Sequence, residues 1–155
     1  MLKFYLFGTP RFTYDDQPVK LARRKSLALL CYLVMHPRPL GRDTLATLLW
    51  GELDQERSRS ELRVSLWGIN KAIGDDWLIN TRDTVQLNPD KPLWTDVSAF
   101  IEAMNAPKAH HHHTDEVCVM CLPQYEKVIS LYTHDFLAGF GISNAPKFDD
   151  WVMHT

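Results

Sequence analysis

The segment from Arg57 to Ile73 constrains the fold more than any other part of the chain. Leu62, Leu66, Ile69 and Ile73 recur at steps of four, three and four, the spacing of a buried stripe on a helix with 3.6 residues per turn. Arg59, Arg63 and Lys71 fall off that stripe, with Ser60, Trp67 and Asn70 among them. One face is therefore made for a protein core and the other for an anionic surface or for water. Taken alone, a solvated amphipathic helix accounts for this pattern as well as a nucleic-acid-binding one does. The neighbouring elements decide between the two.

Upstream, residues 2–7 are aromatic and aliphatic enough for a strand, and Gly8-Thr9-Pro10 interrupts it. A second strand at about Arg11 to Tyr14, a turn at Asp15-Asp16 and a third strand ending near Leu21 complete a small antiparallel sheet. From Arg24 to His36, Leu27, Leu30, Cys31 and Val34 keep a helical period that Pro37 and Pro39 end, and Leu29 and Leu33 widen the apolar stripe. A shorter helix follows from Thr44 to Trp50, then the long basic one, which Gly74 closes. Leu78-Ile79-Asn80 and Thr84 to Asn88 flank Thr81-Arg82-Asp83 as a hairpin. Sheet, three helices and hairpin, in that order, predict an α/β winged helix-turn-helix with an N-terminal antiparallel sheet and a C-terminal hairpin.

Pro89 and Pro92 suggest a boundary, so the expected division is a winged-helix domain over 1–93 and a helical region over 94–155. Trp94-Thr95-Asp96-Val97 introduces a helix to about Ala106, with Thr95 or Asp96 as its cap and Val97, Phe100, Ile101 and Met104 as its apolar set. A further helix from Leu122 to Tyr132 is expected to bury Leu122, Tyr125, Val128, Ile129 and Tyr132. Phe148 to Met153 reads as the opening of a third helix, which makes a fragment of a longer protein the expectation.

Charge narrows the function classes. The net charge of -2 excludes a wholly basic coat, yet residues 1–100 hold 14 basic against 12 acidic side chains while 101–155 hold 3 against 7. A local basic surface in the first region remains compatible with phosphate binding. No run approaches 18 apolar residues, so no membrane span is expected. Three cysteines build no disulfide framework, which points to a cytoplasmic location. Neither a phosphate-cradling glycine loop nor a nucleophile elbow occurs, and no nucleophile and base can be named for an enzyme.

In a winged helix the third helix enters the major groove of double-stranded DNA, the second braces it and the hairpin reaches a neighbouring phosphate or minor-groove edge. On facing direction, Ser60, Arg63 and either Trp67 or Asn70 are the candidate base readers, and Arg59 and Lys71 the phosphate clasps. Arg82 at the hairpin tip is a candidate wing contact, and Arg42 a phosphate contact near the start of the second helix. Each has an ordinary alternative: Arg57 with Glu61 four residues on is a routine surface ion pair, and Arg82 can be a solvated turn residue.

The stretches LFGTPRF, VKLARRKSLALLCYLVMHP, RDTLATLLW, SRSELRVSLWGINKAIG, WTDVSAF and LYTHDFLAGFGISNAPKFDDW together carry a resemblance. The first part resembles the response-regulator type of winged helix. The whole is similar to the N-terminal region of the bacterial transcriptional activator domain family, which includes regulators of antibiotic biosynthesis. The resemblance implies that residues 94–155 begin an all-α, tetratricopeptide-like domain mediating dimer or partner contacts. It also implies binding to direct repeats in promoters and recruitment of RNA polymerase, without a receiver domain or its phosphorylation site. Arg24 and Lys25 match a basic pair of the family, and Asn70 stands where the family commonly has arginine. The alternative class is a non-enzymatic interaction module whose helical half holds a partner.

One motif stands apart. In the run from His110 to Cys121, Cys118 and Cys121 are spaced to grip one tetrahedral ion, and His111 with His113 can complete a closed structural zinc site. A solvated histidine loop with small buried cysteines, or a redox-active pair, fits the same residues. Cys31, on an apolar helical face, is expected to pack.

Overall fold

The computed structural model describes residues 1–106 and 118–155. Three antiparallel strands open the chain: β1 (Leu2–Tyr5), β2 (Arg11–Tyr14) and β3 (Gln17–Val19). Asp15 and Asp16, at φ of 47° and 62°, form the two-residue connection that pairs Tyr14 with Gln17. Positive φ at both positions matches the right-handed twist of the flanking strands, and aspartate tolerates it better than most residues. Helices α1 (Arg24–Met35), α2 (Arg42–Trp50) and α3 (Gln55–Ile73) follow, with the two-residue strand β4 (Leu40–Gly41) between the first two. Strands β5 (Leu78–Asn80) and β6 (Thr84–Leu87) form the expected hairpin, and β4 joins it as a third strand in the order β4-β6-β5.

The first region therefore has the winged-helix order read from the sequence. Leu29, Leu30 and Leu33 of α1, Leu45 and Leu49 of α2, and Leu62 and Ile69 of α3 have no exposed surface. Asp54 caps α3 by accepting the Arg57 backbone N–H at 2.9 Å. At the other end Gly74 takes φ 99° and ψ 153°, beyond the ordinary left-handed region and in one that only glycine populates freely.

The junction with the second region differs from expectation. Trp94 and Thr95, read as part of a helix entry, instead form with Leu93 the strand β7 (Leu93–Thr95), which pairs in parallel with β1 and makes the first sheet four-stranded in the order β3-β2-β1-β7. Helix α4 (Asp96–Asn105) starts immediately after, capped by Thr95, whose hydroxyl accepts the Ser98 N–H at 2.9 Å. Asp96 is buried, and its carboxylate accepts the Leu6 N–H at 2.8 and 2.9 Å and the Phe7 N–H at 3.0 Å. The acid thus satisfies backbone donors where β1 gives out, a long-range demand that local pattern does not reveal. The expected boundary between 1–93 and 94–155 runs through β7, and one buried cluster includes Phe4 and Leu66 from one side with Phe140 and Phe148 from the other.

Helices α5 (Leu122–Leu131) and α6 (Pro146–His154) complete the described residues. The burial expected of α5 is not found: Leu122, Ile129 and Tyr132 are exposed, and none of its residues is fully buried. In α4 the exposed set includes Ile101 and Met104, while Ala99 and Ala103 face inward. α5 packs chiefly on α4, so its remaining apolar face meets no second layer among the described residues. None of the described helices is long and apolar enough to cross a membrane.

Candidate nucleic-acid interface

Four arginines from three elements converge beside α3. Arg42 at the start of α2, Arg59 and Arg63 on α3, and Arg82 at the hairpin tip line one open cleft of about 490 Å³, together with Asp43, Thr44 and Asp83. The two acids leave the cleft two positive charges in excess. Arg63 and Arg82 form no salt bridge among the described residues, and both are exposed. They are the cleft's available cations.

Arg59 is already engaged. Its Nε and Nη2 donate to the two carboxylate oxygens of Asp43 at 2.7 and 2.8 Å, a two-pronged brace between α2 and α3. The hydrogen bond from Arg59 holds the Asp43 carboxyl below its ordinary range, and the same bond raises the Arg59 guanidinium. Three of the five N–H donors of Arg59 remain for another acceptor. Arg42 donates from its side chain to Asn80 of the hairpin and from its backbone N–H to the Asp83 carbonyl at 2.9 Å. These bonds fix the wing against the start of α2, so the tip that carries Arg82 is held beside α3. Thr81 stiffens the tip by accepting the Thr84 N–H at 3.0 Å.

The remaining α3 positions divide. Ser60 is exposed, and Trp67 is 64% exposed with the Lys71 ammonium 5.2 Å from its ring centroid. Asn70 is only half-exposed, and its side-chain oxygen is buried without a hydrogen-bond partner among the described residues. The Arg57–Glu61 pair expected from spacing does not form. Arg57 instead approaches Asp54 at 3.4 Å, and Glu61 accepts from Arg23 at 2.5 Å, because Arg23 lies just before α1 and α1 packs on α3. Arg24 donates to the Gly141 carbonyl and lies over the Phe140 ring, and Lys25 pairs with Glu52, so this basic pair is engaged within the protein.

The sequence reading missed Asp43, Asn80 and Asp83, which position the arginines, and it passed over Val64, which is exposed on α3. For Val64 a signal existed: it is an apolar residue opposite the apolar stripe. For the others none did, since their partners lie 16 to 41 residues away in the chain.

Cys118 and Cys121 lie on one turn at the start of α5, with the Cys118 thiol donating to Cys121 Sγ at 3.2 Å. That hydrogen bond raises the Cys121 thiol above its usual range, with burial adding to it. His111 and His113, the other expected ligands, lie outside the described residues. No group of three or more metal-binding side chains occurs among the described residues. Cys31 is fully buried, and burial pushes its thiol up, in keeping with a packing role.

This arrangement, a three-helix unit with a braced hairpin beside its third helix, defines a winged-helix fold. The solved structure titled "Mycobacterium tuberculosis EmbR in complex with low affinity phosphopeptide" shares it, with a TM-score of 0.73 at 19% identity over 99% of this chain and 41% of that one. The chain thus spans less than half the length of that protein's chain, and at this identity the likeness is one of fold. No family's sequence pattern matches the chain, and no curated protein matches it in sequence.

Proposed function

We propose that this chain is the DNA-binding part of a bacterial transcriptional regulator that recognises duplex DNA through α3 and its flanking arginines. The observation that carries the reading is the convergence of Arg42, Arg59, Arg63 and Arg82 around one cleft beside the exposed face of the third helix. Arg63 reads a base edge with Ser60, Arg59 and Lys71 hold phosphates, and Arg82 reaches the backbone from the wing. Asn70 contributes less, because its acceptor oxygen is turned inward. The protein acts without catalysis of its own.

The resemblance to activator-type regulators adds three parts to the proposal: direct-repeat operators, recruitment of RNA polymerase, and a tetratricopeptide-like continuation of the helices after β7 that forms a homodimer. The test is selection of bound sequences from a random duplex pool, followed by titration at increasing salt. Affinity is expected to fall steeply with salt and about tenfold or more on Arg63→Ala. Unchanged binding by that variant would sink the assigned face. A stable protein complex that survives alanine at Arg59 and Arg63, in a chain that binds no duplex, would establish the interaction-module alternative.

The thiol pair supports a second, separable proposal. Cys118 and Cys121 present two sulfurs on one turn, which suits half of a structural zinc shell completed by His111 and His113. Elemental analysis of protein prepared without a metal-affinity column is expected to find about one zinc per chain; less than about 0.2 would remove the site.

A further inference from the structure

The outer face of α3 is not simply basic. At about 100° per residue, Val64 lies about 170° from the centre of the Leu62–Leu66–Ile69–Ile73 stripe and Trp67 about 130°. These two large apolar side chains are 41% and 64% exposed on a helix whose stripe residues are exposed by 2% or less. Neighbouring exposed apolar groups on an otherwise polar helix face mark a candidate contact surface, whereas singly scattered ones need no explanation.

The surroundings indicate which occupant. On one flank stand Arg59 and Arg63 with the four-arginine cleft. On the other, Val64, Trp67 and Lys71 border a shallow concavity of about 420 Å³ whose far wall carries Lys20 and, already paired with Glu61, Arg23 from the segment between β3 and α1. Cations therefore rim both sides of an apolar centre. Gly68 lines the concavity beside open space, where a Cβ would meet no atom within 4 Å. Lys71, over the Trp67 ring, brings a positive charge to the same spot.

A duplex major groove is the complementary object: anionic phosphate rails on both sides, and on its floor one apolar group, the C5-methyl of thymine. We propose that Val64 and Trp67 seat thymine methyl groups, so that the preferred sites carry thymine opposite the middle of α3 while Arg63 reads beside them. This inference rests on the DNA-binding reading and specifies the base chemistry it recognises.

Uracil in place of thymine tests it, because the exchange removes the methyl and leaves every hydrogen-bonding group. A duplex selected by the wild-type chain is remade with uracil at each thymine in turn. The expected result is a loss of about fourfold in affinity for each contacted methyl. Val64→Ala, an exposed truncation, is expected to bind the thymine and uracil forms equally at one such position, and Trp67→Ala at a neighbouring one. Wild-type binding that is indifferent to uracil everywhere, yet still dependent on Arg63, overturns the inference and leaves DNA binding intact. Unchanged duplex affinity in both variants overturns it too and gives the surface to a protein partner. Failure to select any duplex removes the DNA-binding reading itself, and this inference with it.

Discussion

Helices α3 and α5 both repeat apolar residues at helical spacing. In α3 the repeat ends in a core, with Leu62 and Ile69 fully buried, whereas Ile129 of α5 is 75% exposed. α3 is clasped by α1 and α2 on one side and presents charge on the other, while α5 rests mainly on α4. Periodicity reports that a helix has an apolar face; it does not report how many layers cover it. The stability of such a face comes from the covering, so the two helices should respond to the same kind of truncation to very different extents.

The largest separation should come from Leu66→Ala against Ile129→Ala. The first empties a fully packed site and is expected to cost about 3–5 kcal/mol in denaturant unfolding, the second to stay within about 0.5 kcal/mol. Equal costs would mean that α5 is as enclosed as α3. Next is the junction that ties the two regions together. Asp96→Ala leaves the buried Leu6 N–H and the part-buried Phe7 N–H without their acceptor and should cost about 2–4 kcal/mol by the same measurement. A neutral outcome would show that the end of β1 does not depend on α4.

Smaller effects probe how α3 ends and what its outer face is for. Gly74→Ala forces a side chain into a glycine-only conformation, with the Asp76 carboxylate 3.3 Å from the new Cβ, and should cost about 1–3 kcal/mol in thermal unfolding. Gly68→Ala has open space and ordinary helical geometry, and should raise stability by about 0.5–1 kcal/mol. Loss of stability at position 68 would mean that the glycine is needed by the fold itself and not by the concavity beside Trp67.

Much of the first region was legible from residue order alone. The α3 stripe, the prolines after α1, the glycine after α3 and the turn residues at 81–83 act within a few positions, and each element formed about where local chemistry placed it. β4 and β7 were not legible, being two and three residues long and existing only because a distant strand offers hydrogen bonds. The site divides the same way. That Arg59, Arg63, Trp67 and Lys71 lie off the buried stripe follows from helix geometry. That Arg59 is braced by Asp43, that Arg42 is held by Asn80, and that Glu61 belongs to Arg23 depends on which elements pack together.

The sequence by itself determined the type and order of the elements through β6, β4 excepted, and the division of α3 into two faces, because capping, proline stops and 3.6-residue periodicity are local properties. Only the tertiary structure decided that four arginines share one cleft, that Val64 and Trp67 stand exposed between cationic rims, and that Asp96 anchors the second region to the first. Those facts depend on contacts between residues far apart in the chain, and no local pattern encodes the partner a side chain will meet.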